Sequence, residues 1–323
     1  MKKFFILASL LIGTSAFATL SDNGVGGKLI TGDYTISALK EANGGSLEFA
    51  NIILDGSITI DDSDAETASV IKTTTAGKLD PKLSGLYSFI SQNNAKLNLL
   101  AGSKSSFSFA EGINSFCGNL EINVDKDAGG YVYTPKLAAQ KKAGISSAVV
   151  TLNLDKAYAI RTLDKNTTFT ATVVGIMNFN ASADQSIKLD ARNNTIMNVN
   201  LTNDANLYIS SVGINNVNFV STINLVNGLE HGAILFAKDA LQSGLEYDAE
   251  LGAYNVVVKT SQYTEIIKIT ADEGVDIGAL TWSDTINEGY WTLTGMVAVP
   301  EPAEWAMIFG GIALGLAIYR RRK

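Results

Sequence analysis

Serine and cysteine hydrolases need a histidine beside the nucleophile, and this chain of 323 residues contains one histidine and one cysteine. His231 stands in Gly228-Leu229-Glu230-His231-Gly232, a turn sequence, and no G-x-S-x-G elbow accompanies it. Cys117, in Ser115-Phe116-Cys117-Gly118, has no cationic neighbour to lower its thiol pKa and reads as a small buried apolar residue. Carboxylates are the plentiful chemical material. Asp61-Asp62-Ser63-Asp64-Ala65-Glu66 is a dense acidic loop, Asp125-Lys126-Asp127-Ala128-Gly129 offers D-x-D-x-G, and Asp272, Glu273 and Asp276 form a third group. Calcium takes six to eight oxygen ligands, so Asp61, Asp62, Asp64, Asp125 and Asp127 are weak calcium candidates. None completes an EF-hand, glycine-rich calcium-binding nonapeptides are absent, and solvated charged loops account for the pattern without a metal. The sequence therefore predicts no catalytic residues and no cofactor.

Composition narrows the field further. With 46% apolar and 18% charged residues the chain has the make-up of a folded protein. A single cysteine excludes an intrachain disulfide framework, and a single histidine excludes a multi-histidine zinc site. The formal charge is −7, but six of the 25 basic residues sit at the two ends. Residues 19–299 keep 19 basic and 30 acidic side chains, a net of −11, which gives nothing to neutralise phosphates and argues against nucleic-acid binding.

The two ends read as addresses. Met1-Lys2-Lys3, an apolar run from Phe4 to Gly13, and Ala16-Phe17-Ala18 are the three parts of a secretory signal peptide over residues 1–18. Its partners would be the Sec translocon and signal peptidase, with cleavage after Ala18. At the other end, Val299-Pro300-Glu301-Pro302-Ala303-Glu304 precedes an uncharged stretch, Trp305–Tyr319, and then Arg320-Arg321-Arg322-Lys323. The stretch would reach about 22 Å as a helix, short for a bilayer core of about 30 Å, with Trp305 and Tyr319 at the interfaces and the arginines snorkelling. The four terminal cations predict a cytoplasmic C-terminus, leaving residues 19–299 on the far side of the membrane.

This tail resembles the PEP-CTERM sorting signal of Gram-negative bacteria: a Pro-Glu-Pro motif, a short apolar helix and a terminal basic cluster. The resemblance covers residues 299–323 only. It implies processing at Pro300-Glu301-Pro302 by an exosortase and delivery of the passenger to the cell surface or extracellular matrix, where exopolysaccharide or another glycan is a possible partner. An ordinary single-span anchor with a proline-rich linker is the plainer alternative.

Between the addresses, Pro81 and Pro135 are the only prolines in residues 19–299, which suits a long run of paired strands. Leu120, Ile122 and Val124, then Val150, Leu152 and Leu154, then Met197, Val199 and Leu201 alternate with polar residues at period two. Short helices are expected at Pro81–Ile90, Lys136–Ala143 and Leu235–Gln242. Residues 178–227 hold 13 of the 26 asparagines, and their apolar centres recur about every ten residues, with asparagine placed for tight corners. This texture resembles the right-handed parallel β-helix of secreted adhesins, so an all-β solenoid is expected over residues 19–228. A β-sandwich is the alternative. Residues 229–298, richer in aromatics, would form a cap or small subdomain. Function follows as an exported structural or adhesive protein. The alternative is a β-helix polysaccharide lyase or glycoside hydrolase, for which Asp184, Asp190, Asp204, Lys188 and Arg192 are the sparse charged residues of the most regular region.

Overall fold

The computed structural model describes residues 18–79, 85–93, 95–109, 118–140, 148–162, 164–191, 195–214, 220–241, 246–248, 250, 253–258, 265–273, 275 and 280–295. Residues 1–17 of the signal-like segment, the whole of 299–323, Cys117, Arg192 and Asp276 lie outside them. The protein is all-β, and it divides into two compact units. The first is residues 1–151 with 160–166, and the second is residues 152–159 with 167–323.

The first unit contains β1 (Thr19–Asp22), β2 (Lys28–Thr35), α1 (Ile36–Ala42), β3 (Glu48–Phe49), β4 (Ile52–Ile60), β5 (Val70–Thr73), β6 (Phe89–Ser91), β7 (Ala95–Leu99), β8 (Ser106–Ser108), β9 (Leu120–Val124), β10 (Val132–Tyr133) and β11 (Lys136–Ala139). β12 (Val149–Leu154) contributes its first half here, and β13 (Ile160–Arg161) follows. Two sheets share all of these strands but β11. One runs β1-β2-β4-β7-β9, with β6 also on β4, and the other runs β3-β5-β8-β10-β13. Every described pairing in them is parallel except β1 with β2. The chain visits the two sheets in turn, which is what lets neighbours lie parallel although they are far apart in sequence.

Parallel register stacks like on like. Ile58, Leu97 and Ile122 form one inward column and Ile60, Leu99 and Val124 the next, all at most 1% exposed. Phe107 stands between Ile71 and Val132 on the facing sheet, and Val132 continues to Ile160. Each such side chain, once buried, contributes roughly 1.5–3 kcal/mol, so the alternation read from the sequence is the core itself.

α1 was not anticipated. Its seven residues bury only Ile36 and Leu39, too weak a period to stand out, and its start depends on the Thr35 hydroxyl accepting from the Ala38 amide at 3.3 Å.

The second unit holds the rest of β12 and β14 (Thr168–Val173), β15 (Ile176–Ala181), β16 (Gln185–Ala191), β17 (Ile196–Leu201), β18 (Ala205–Ile214), β19 (Val220–Leu225), β20 (Gly232–Ala237), β21 (Glu246–Asp248), β22 (Ala253–Val258), β23 (Glu265–Ala271), β24 (Thr281–Ser283) and β25 (Tyr290–Thr294). From β14 to β20 successive strands again alternate between two parallel sheets. The recurrence near ten residues in the sequence is the step from one sheet to the other, and the true partner lies about twice as far along. Phe169 pairs with Ile187, and Ile196 with Thr222. Beyond β23 and β20 the pairing turns antiparallel, in β23-β22-β21 and β20-β25-β24. There Trp282 and Trp291 stack with centroids 5.2 Å apart beside Phe236.

The three expected helices are corrected wherever they are described. Phe89–Ser91 and Lys136–Ala139 are strands, and Leu235–Ala237 completes β20 before a single 3₁₀ turn at Lys238–Ala240. Each apolar run there is continuous, not periodic, and a short continuous run suits a strand or a helix equally until a neighbouring strand takes up its backbone groups.

One close approach fixes the start of the parallel array. Gly32 and Gly56 are partners in β2 and β4, with φ of +77° and +156°, and a Cβ on Gly56 would lie 2.0 Å from the Gly32 carbonyl oxygen. Gly56→Ala should destabilise the protein by at least about 3 kcal/mol, because the obstacle is backbone and cannot rotate away. Chemical denaturation of the variant measures this, and a loss under 1 kcal/mol would contradict the assigned register.

Candidate functional site: the polar face of the larger sheets

The residues that alternate with the core meet solvent, and parallel register stacks them too. In the second unit Asn178, Asn198, Asn224 and Thr270 are successive partners on β15, β17, β19 and β23. Asn224 Nδ2 donates to Asn198 Oδ1 at 3.2 Å, Asn198 Nδ2 donates to Asn178 Oδ1 at 2.8 Å, and the Thr270 hydroxyl donates to Asn224 Oδ1 at 3.1 Å. Asn180 donates to Asn153 at 2.8 Å in a neighbouring column. The first unit repeats the device: Asn123 donates to Asn98 at 2.8 Å, and Asn98 donates to the Thr59 hydroxyl at 3.0 Å. The sequence suggests asparagine at corners. Asn203, at φ +54°, fits that role, but the asparagines of these columns lie mid-strand, where a planar amide donates and accepts along the sheet.

Beside this column of the first unit runs a charged one that sequence reasoning missed. Asp33, Ser57, Lys96 and Glu121 are successive partners on β2, β4, β7 and β9. Ser57 donates to Asp33 Oδ1 at 2.7 Å, and Lys96 Nζ lies 2.8 Å from Glu121 Oε2. These residues are separated by 24, 39 and 25 positions, so no local pattern announces them; only the register of four strands does. Lys96 and Glu121 border a shallow depression of about 360 Å³, completed by Asn119 and Thr151 around Ala95, Leu120 and Val149. Asn119 Oδ1 accepts from the Val149 amide at 3.0 Å, which fixes that rim.

The electrostatics of the pair bear on its chemistry. The hydrogen bond and charge of Glu121 raise the Lys96 pKa above its ordinary value. The hydrogen bond from Lys96, helped by Asn123 and opposed by partial burial, holds the Glu121 carboxyl below its ordinary value. Near neutrality Lys96 is a cation and Glu121 an anion, which is the reverse of what a lysine base or a carboxylic acid catalyst requires.

The acidic candidates make separate contacts. Asp62 is engaged: Lys104 N and Ser105 N donate to its Oδ1 at 2.8 and 3.2 Å, and the Ser105 hydroxyl donates to Oδ2. Partial burial of Asp62 disfavours the charge, yet the hydroxyl and the two amides together prevail and hold its pKa below the usual 3.8. Asp61 and Asp64 are exposed. Asp125 accepts from the Asp127 amide at 2.8 Å, and Asp127 pairs with Lys126 at 2.5 Å. In the second unit Asp184 accepts from the Asn206 amide at 2.8 Å, Asp190 from the Thr172 hydroxyl at 3.0 Å, Asp204 sits in a turn, and Lys188 is exposed. His231 is exposed in the turn before β20. Among the described residues no three of His, Cys, Asp and Glu gather as a metal-binding group, and no helix there is long and apolar enough to cross a membrane.

Fold and surface define an all-β protein of largely parallel ladders whose wet faces carry hydrogen-bonded polar columns. No protein-family model and no curated protein sequence matches the chain.

Two outcomes check this site. Asn198→Ala removes two ladder bonds and should cost about 1–2 kcal/mol in denaturant unfolding. Asp62→Ala should cost a similar amount at neutral pH, since two amides lose their acceptor. Because the folded pKa of Asp62 is depressed, its contribution is present above the unfolded pKa and lost as pH falls through the folded one. The gap in stability between wild type and Asp62→Ala should therefore close in acid below 3.8 and not in mild base.

Proposed function

We propose that the chain is an exported, non-enzymatic surface or matrix protein whose body, residues 19–298, is a right-handed parallel β-solenoid. On this reading the body is delivered by a cleaved signal peptide and a PEP-CTERM tail that an exosortase removes. What supports the solenoid over a sandwich is the parallel register from β14 to β20, with consecutive strands assigned alternately to two sheets. The antiparallel strands of residues 229–298 then serve as the cap, closing an edge that would otherwise invite pairing.

The observation that carries the structural role is the satisfied state of the wet face. Its asparagines, serine and lysine–glutamate pair bond to one another across strands, a use that lends rigidity and repeated surface. A carbohydrate-active enzyme on the same scaffold is the competing reading. It would need a protonated carboxylic acid beside an ionised carboxylate, and Glu121 is held ionised with a lysine, not a second carboxylate, as its partner.

Alkaline phosphatase fused after Ala298 should be active outside the cytoplasm, and an inactive fusion with the signal peptide intact would refute the topology. Proline keeps Pro300-Glu301-Pro302 extended before the apolar stretch, a form a protease can grip. Replacing all three by alanine should make a membrane-bound precursor accumulate on immunoblots of membrane fractions. Mass spectrometry of the mature wild-type protein should find Arg320–Lys323 absent. Finding them intact on surface-exposed protein would leave the tail as a simple anchor.

A further inference from the structure

We propose that the depression beside Lys96 and Glu121 in the first unit binds a neutral sugar unit of a polysaccharide lying across the strands. This assignment rests on the surface-protein reading above and gives it a ligand class.

The shape comes first. The depression, about 360 Å³, falls within the range of small-ligand sites and has the span of one or two hexose rings. Its surroundings are mixed in the way a pyranose is mixed. Ala95 and Leu120 are buried and Val149 is half-buried, offering apolar surface to ring C–H groups, while Lys96, Asn119, Glu121 and Thr151 supply polar tips. The charge then selects among sugars. Lys96 and Glu121 cancel at 2.8 Å, so the site carries no net field from that pair for a uronate or a sulfated chain. They present an ammonium donor and a carboxylate acceptor side by side, the complement of two neighbouring hydroxyls, each of which donates and accepts.

Direction comes from the ladder. Asp33, Ser57, Lys96 and Glu121 follow one another at the spacing of adjacent strands, about 4.8 Å. A sugar ring in an extended polysaccharide advances by a similar length, so a chain running across the strands meets a polar group at each step. With the carboxylate held ionised and the amine held protonated, the pair offers the sugar a fixed acceptor beside a fixed donor.

The test uses the purified protein with cellohexaose as the neutral probe and polygalacturonate as the anionic one, read by calorimetry and by release of reducing ends. Wild type should bind cellohexaose with millimolar or better affinity, bind polygalacturonate more weakly, and release no reducing ends. Lys96→Met and Glu121→Ala should each weaken cellohexaose binding at least about tenfold, and Glu121→Gln, which keeps an acceptor, should lose less. Thr151→Trp, which fills the depression while leaving the ion pair in place, should abolish binding even if a pair variant folds poorly. No binding of cellohexaose by folded wild type, a preference for polygalacturonate, or full binding by folded Thr151→Trp would overturn the proposal. Because the probe meets purified protein, a failure here is separate from a failure of export, which the phosphatase fusion reads.

Discussion

Parallel in-register pairing is the constraint on which the rest of this structure depends. Once two strands lie parallel and in step, every side chain has its equivalent as neighbour a strand spacing away, and a column can persist only if its members tolerate themselves. Inside, that condition is met by shape: Met177, Met197, Ile223 and Ile269 stack with at most 2% exposure each. Outside, it is met by chemistry. An asparagine column satisfies itself because each amide both donates and accepts, whereas a column of one charge sign would repel. The exposed positions of this chain obey the rule: asparagine follows asparagine, threonine follows threonine at 35 and 59, and lysine is answered by glutamate at 96 and 121.

The same constraint explains the glycines and the ends. Where the backbone of one strand crowds the next there is room for hydrogen alone, as at Gly56 over Gly32. Where the parallel run stops, the strands reverse. β25 returns against β20, and β22 against β23, which occupies the free edges with partners from the same chain. The stacked tryptophans at 282 and 291 sit on this returning hairpin, two of the seven aromatics that set residues 229–294 apart in the sequence.

Much of the fold was legible because a strand buried on one face writes its period directly into the residues. Leu120–Val124 and Val150–Leu154 alternate without exception, and both lie in strands. The failures share a cause. Leu235 and its neighbours form an unbroken apolar run, in which period two and period 3.6 cannot be told apart, and α1 is too short to show any period. The Lys96–Glu121 depression was invisible for a different reason. Sequence shows which residues lie two or four apart, but not that Ser57 will stand beside Lys96 after a 39-residue excursion. Conspicuous clusters misdirected attention for the converse reason: Asp61, Asp62 and Asp64 are adjacent in sequence, yet Asp62 alone is drawn into the structure, by backbone amides.

The asparagine column of the second unit carries one more property. Its amides all point the same way, Asn224 giving to Asn198 and Asn198 to Asn178. Turning one amide over would set donor against donor on one side and acceptor against acceptor on the other, so the orientation of any member is enforced by its neighbours. Asn224 Nδ2 also donates to Asp272 Oδ1 at 2.7 Å, and a carboxylate can only accept, so that contact pins the whole column in one setting, and its small dipoles add along the axis. A surface built this way has a head and a tail written in its hydrogens, a polarity that side-chain identity alone does not reveal.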